Sequence, residues 1–258
     1  MSFSTSNTRD PLVVGVDLFR SSWLLSLPAA LCAVLAGQLP AAYATWQGLP
    51  LALSESKDPL WWLLMLSAAL INLWSWLFIM RRQSRQLCDQ VASLSQDLRA
   101  TLLAIPRASV ALLGMTVLIA LGTLLFILPG IYVLVVSWLV LPAVAIREDS
   151  VRRLMDDCLQ QARGQWWTLA KGMLLTVIGI LALFVIGNLL GLLLYELALL
   201  SGAMSAVPAE QSSAWVGALA SVAGGVLGAL YMPFASAMAV AHYAVLADKH
   251  QSSDSSSL

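Results

Sequence analysis

Charge is scarce in this chain. Of its 258 residues, 11% are Asp, Glu, Lys or Arg, against about 25% in an ordinary soluble domain. That is too little to cover a water-exposed surface. An excess of either sign is also missing, with 14 Lys+Arg facing 14 Asp+Glu. The basic footprint of a nucleic-acid binder is therefore absent, and no nucleic acid is expected as a partner. Cysteine and histidine are few. Cys32, Cys88 and Cys158 stand in no CxxC or Cys/His spacing, and His242 and His250 lie near the C-terminal end. Unbridged thiols and no metal or cofactor are expected. No H-E-x-x-H, P-loop or G-x-S-x-G occurs, so no catalytic residue is assigned and no enzyme is expected. The first ten residues are polar and the next apolar stretch is short and broken by Asp17, which argues against a cleavable signal peptide.

What the chain has is apolar length. Hydrophobic residues make up 59%, and six runs approach the roughly 20 residues that cross a hydrocarbon core. They are 22–44, 60–80, 108–128, 130–146, 168–194 and 214–246. The third and fourth form one uncharged stretch that, as a single helix, would be roughly 58 Å long. Leu128, Pro129 and Gly130 interrupt it. Proline disfavours helix at the residue before it and glycine accepts turn geometry, so a tight hairpin turn is predicted at Pro129 and Gly130, with a re-entrant pair as the alternative. The fold class is all-α: a polytopic membrane protein of six transmembrane helices in three hairpins. Residues 1–247 form one membrane domain, and the serine-rich 248–258 is a disordered polar tail.

Of the 14 basic residues, all but Lys57 fall on the side that holds the N-terminus, 81–107, 147–167 and the C-terminus. Basic excess marks the cytoplasmic face, so both termini are expected there, in a bacterial inner membrane. Trp23, Trp166 and Trp167 fall at predicted inner boundaries and Trp46, Trp61, Trp62 and Trp215 at predicted outer ones, as indoles prefer the headgroup zone.

Both long inner connectors are patterned. In 81–107, Leu87, Val91, Leu94, Leu98 and Leu102 recur at helical spacing among polar residues, which predicts an amphipathic helix of about five turns. In 147–167, Asp149 or Ser150 can cap a helix whose apolar face is Val151, Leu154, Met155, Cys158, Leu159 and Ala162. It ends at Arg163 and Gly164, with Trp166 and Trp167 as an interfacial anchor. Two readings stand for both connectors: docking on the membrane surface or bundle, or a site for a protein partner.

Polar residues inside spans are candidate functional groups. Asn72 is nearest the middle of a span. Either an interhelical hydrogen bond or a ligand accounts for it. Asn188 and Glu196 lie late in the fifth span, Glu196 at headgroup level. Gly187 with Gly191, and Gly224 with Gly228, are spaced four apart, which lets helices approach closely within the chain or across a homodimer.

Leu128-Pro129-Gly130-Ile131-Tyr132, followed by Trp138, Pro142 and Glu148 and then by the connector ending in Gly164-x-Trp166-Trp167, resembles the YciC-like bacterial inner-membrane proteins. These are similar to the membrane domain of some glycerophosphodiester phosphodiesterases. Cys158 stands where a serine is usual, and Tyr243 with Asp248 and Lys249 is a wide version of the family's last-span ending. The resemblance implies six spans and an inner membrane, and it brings no catalytic motif. The lipid bilayer is the expected partner. A non-enzymatic envelope scaffold, regulator or lipid-organising protein is the leading expectation. A small transporter or channel-like protein for an apolar, amphipathic or lipid substrate is the second. A lipid enzyme using Glu148 and Asp149 is the third.

Overall fold

A computed structural model describes residues 10–47, 58–90, 93–200 and 229–248. Every element among them is helical: α1 (Pro11–Gln47), α2 (Pro59–Leu87), α3 (Leu94–Leu125), α4 (Ile127–Ile146), α5 (Val151–Ala162), α6 (Trp166–Leu200) and α7 (Ala229–Asp248). All but α5 are long and apolar enough to cross a membrane, as a polytopic helical protein requires.

The helices run further than hydropathy alone implies. α1 has 37 residues, about 55 Å of helix, and begins at Pro11 rather than near Ser22. Its first turns carry Asp17 and Arg20 yet bury Val14 and Leu18. Those two residues lie on one face four apart, so the polar first turns continue along the bundle instead of leaving it.

The first inner connector differs from its prediction. Residues 81–107 are not a separate helix: α2 continues to Leu87, the chain breaks over Cys88–Gln90, and α3 starts at Leu94. Asp89 sits at φ 52, in the left-handed region that Asp tolerates better than most residues. The Leu87-to-Leu102 periodicity is therefore shared between two spans, and Leu94 and Leu102 are exposed. Ser93 caps α3 by accepting from the Gln96 N–H at 3.4 Å. The second connector forms α5 as its pattern dictates: Leu154, Cys158 and Ala162 are buried on the bundle, and Gly164 at φ +78 makes the break into α6.

The turn between α3 and α4 also lies elsewhere than predicted. The break is Phe126, at φ −158 and ψ 140, and α4 begins at Ile127. Pro129 sits in the first turn of α4, where its missing N–H has no partner to lose. Gly130 is no turn residue; it lets α4 cross against Gly122 and Thr123 of α3.

α1 packs chiefly on α2 and α3 on α4, giving the first two hairpins. The core lies around α7. In its most apolar window, 83% of residues are buried, against 11% for α6 and 17% for α3. Its sequence explains the position: Ala235, Ser236, Ala237, Ala239, Ala241 and Ala244 leave a thin helix that neighbours can surround on all sides. Phe19 of α1 meets Phe234 edge-on at 5.5 Å. Trp76 of α2 meets Tyr231 at 6.0 Å. Gly172 and Gly179 of α6 admit the rings of His242 and Phe234.

Candidate functional site

Two concavities among the described residues hold the polar groups Asn72 and Asp97. The first is a cavity of about 490 Å³ between α2, α3, α4 and α7, within the usual range for small-molecule sites. Its walls are mostly apolar, with Trp76, Leu112, Leu141 and Ala239 among them. Three polar groups face or edge it. Asn72 has no hydrogen-bond partner among the described residues, and no interhelical bond is seen there. Ser137 donates to the Leu134 carbonyl at 2.6 Å, which leaves its oxygen free to accept. The Trp138 indole N–H is buried and unpartnered. Asn72 is 13 residues into α2, roughly 20 Å from its start, so the cavity lies at mid-membrane depth. Such a space suits an apolar molecule carrying one carbonyl or hydroxyl.

The second is at the arginine-rich end. Asp97, 2% exposed, draws three guanidinium groups from the last turns of α2: Arg85 at 3.0 Å, and Arg81 and Arg82 at 3.7 Å each. Asp97 reaches them because it lies one turn inside α3 on the face that continues as Thr101, Ala104, Ala108, Ala111 and Met115. Arg81 also donates to the Ala145 carbonyl at 3.2 Å and lies 3.9 Å from the exposed Glu148. A crevice of about 360 Å³ opens beside this cluster, with Ser22, Ser26, Arg82, Arg85, Asp89 and Asp97 among the residues that wall it. Behind it, Gln83 is fully buried and donates both to Ser22 Oγ at 3.1 Å and to the Pro233 carbonyl at 2.9 Å. One amide thus ties α1, α2 and α7 together.

Next to it, Arg147 pairs with Asp149 at 2.6 Å and Asp157 at 2.7 Å. Burial works against its charge, but the Tyr243 phenol and the two carboxylates outweigh that and push its pKa above the ordinary value. This cluster pins α5 to the ends of α4 and α7. Burial beside Asp157 pushes the Cys158 thiol up to about 12. Among the described residues, no group of three His, Cys, Asp or Glu side chains converges as a metal set.

The remaining sequence candidates are dispersed. Asn188 donates to the Phe184 carbonyl of its own helix at 2.8 Å, and Glu196 is exposed near the far end of α6. Gly187 and Gly191 are buried on α6; Gly224 and Gly228 lie outside the described residues, as do Lys57, Trp215, the start of the sixth predicted span and the tail from Lys249 onward. Arg163 ends α5, its N–H donating to the Gln160 carbonyl at 3.1 Å. Trp166 stacks on Tyr132 at 6.2 Å and meets Trp167 edge-on at 4.8 Å, and Trp167 is exposed. Sequence reasoning missed Gln83 and Asp97. A carboxylate at the base of an apolar helical stripe was the available signal for Asp97.

Comparison with protein-family models, with curated proteins and with solved structures finds no match to this chain.

Proposed function

We propose that this chain is a non-enzymatic, lipid-organising protein of a bacterial inner membrane, with both termini in the cytoplasm. It holds a single apolar or amphipathic lipid between α2, α4 and α7. The observation that carries this reading is the unpartnered Asn72 amide on a mid-membrane cavity of about 490 Å³. An unpaired amide in hydrocarbon is costly, and a ligand carbonyl or hydroxyl would satisfy it. The resemblance to YciC-like proteins supports the inner-membrane assignment, and the arginine-rich end supports the topology.

Native mass spectrometry of the protein extracted in its own lipid tests the reading. One bound lipid per chain is expected, lost in Ala69→Trp, which plugs the exposed mouth of the cavity, and weakened in Asn72→Leu. A chain that carries no lipid, or carries it equally in Ala69→Trp, would sink the proposal. The lateral opening of the cavity between Ala69 and the partly exposed Leu112 favours a second reading, a small lipid transporter. Lipid movement between leaflets that stops in Ala69→Trp would distinguish it.

A further inference from the structure

The crevice beside Asp97 is a built polar site, not an accident of surface shape. Three helices converge on it, and its guanidinium groups are held before any ligand arrives. Arg82 and Arg85 are 27% and 17% exposed, and both are aimed by the buried Asp97 carboxylate. Arg82 is also braced over the Phe78 ring at 5.9 Å. Arg81, Arg82 and Arg85 face two carboxylates here, the buried Asp97 and the exposed Asp89 of the crevice wall. Glu148 beside Arg81 shares a separate recess with Arg99 and Arg107, so the excess at the crevice is a single positive charge. Three polar atoms there lack hydrogen-bond partners among the described residues: the buried Arg85 Nε, the Asp97 Oδ1, and the Ser26 hydroxyl, on a side chain 2% exposed. Gln86 and Gln90 add amides at the rim.

We propose that this crevice binds the phosphate of an anionic phospholipid headgroup. Guanidinium groups with hydroxyl and amide donors are the chemistry that recognises phosphate oxygens. Depth selects the lipid as its source. Arg82 lies 23 residues from the start of α2, roughly 34 Å, which is about one hydrocarbon thickness from the opposite boundary. It therefore stands at the level of the phospholipid phosphates. Leu25, 58% exposed on α1, forms the outer lip and offers an acyl chain an apolar path down the helix. Asp97 is a positioning residue: it draws the three guanidiniums together and fixes their direction. The inference rests on the lipid-binding reading and adds to it a second, headgroup-level site that shares no wall with the cavity.

The full chain in nanodiscs of phosphatidylcholine with a minority of phosphatidylglycerol provides the test, read by native mass spectrometry of the lipids that leave with the protein. Phosphatidylglycerol should be enriched about tenfold over its share of the disc, a difference of about 1.4 kcal/mol. The enrichment should vanish in the double variant Arg82→Gln with Arg85→Gln, and also in Ser26→Leu, which fills the crevice and leaves every charge in place. Equal retention of both lipids by the wild-type chain overturns the proposal. So does enrichment that survives both variants in folded form. In discs of phosphatidylcholine alone, added glycerol 3-phosphate should not bind; binding there without lipid enrichment would assign the crevice to a soluble phosphate and overturn the lipid. Ala69→Trp should leave the phosphatidylglycerol enrichment intact. A wild-type chain with no cavity lipid, or a cavity lipid that survives Ala69→Trp, counts against the first reading alone when the headgroup preference is retained.

Discussion

The imidazole of His242 on α7 lies directly over the backbone of Gly172 on α6, in the space that a β-carbon at 172 would fill. Its Nδ1 faces the Met238 carbonyl at 2.7 Å. A carbonyl only accepts, so Nδ1 carries the proton and the ring is locked in plane against the helix. His242 is 1% exposed and has nowhere to swing. Gly172→Ala should therefore destabilise the bundle by about 1–3 kcal/mol, the range for overpacking a filled core. Gly37 is the control: nothing lies within 4 Å of a β-carbon there, and Gly37→Ala should be neutral or raise the melting temperature through helix propensity. Thermal unfolding in detergent micelles compares the two. Equal melting of Gly172→Ala and wild type would mean that α6 does not rest on His242.

The Asp97 cluster predicts a strong asymmetry between two carboxylates that face the same arginine. Asp97 is 2% exposed and shared by three guanidiniums; Glu148 is 76% exposed and 3.9 Å from Arg81. Breaking a buried ion pair from one side costs about 3–5 kcal/mol, because charge is left without compensation. A screened surface pair is worth about 0–1 kcal/mol. Asp97→Asn should lower the unfolding midpoint markedly, and Glu148→Gln should scarcely move it. The same pair of midpoints tests the idea that Glu148 carries the load, which equal losses would support.

These clusters also mark how far the sequence could be read. The amphipathic face of α5 is legible because Val151, Leu154, Cys158 and Ala162 alternate with Arg152, Arg153 and Asp156 at helical spacing, so burial and exposure are written into one short segment. The stripe from Leu87 to Leu102 is equally periodic, but periodicity does not register a break. The chain turns at Cys88–Gln90, and the two halves join different spans. The central place of α7 is hidden for another reason. Hydropathy cannot tell a helix surrounded by protein from one surrounded by lipid. Only the alternation of alanine between Ala235 and Ala244 distinguishes it from the leucine-rich α6, whose apolar side chains are largely exposed among the described residues. The Asn72 cavity is legible as one polar residue in a span, while its walls come from four helices whose packing no local pattern encodes.

Thiol chemistry tests both packing and topology. The thiolate is the reactive form. With its pKa pushed up to about 12, Cys158 should be about 10⁴-fold deficient in thiolate at pH 8 relative to full ionisation, and its side chain is also buried. Cys88 is partly exposed, and burial raises its thiol pKa too. A membrane-impermeant maleimide should therefore label Cys88 slowly and Cys158 not at all until the protein is denatured. In intact cells Cys88 should be protected, becoming reactive when the membrane is opened. Labelling of Cys88 from outside would invert the proposed orientation, and rapid labelling of Cys158 would mean that α5 is not docked.

The junction of α3 and α4 separates two roles that proline and glycine can play. If Pro129 and Gly130 made the turn, both substitutions would disturb it. Instead Phe126 breaks the helix, and Pro129 occupies a first-turn position where any residue without strain is acceptable. Pro129→Ala should change stability by less than about 1 kcal/mol. Gly130 is different, because a β-carbon there would strike the Thr123 hydroxyl and backbone. The Thr123 Oγ1 already donates to the Ile119 carbonyl at 2.8 Å, so it cannot yield without losing that bond. Gly130→Ala should cost about 1–3 kcal/mol, and Gly130→Leu should force the two spans apart and expose α3 residues that now face α4. Replacing Thr123 by Ala removes the nearest obstructing atom and should recover part of the Gly130→Ala loss, as coupled neighbours do. Recovery measured by thermal unfolding would fix the helix crossing at this pair. Additive losses would mean that Gly130 acts through backbone freedom and the turn lies where it stands.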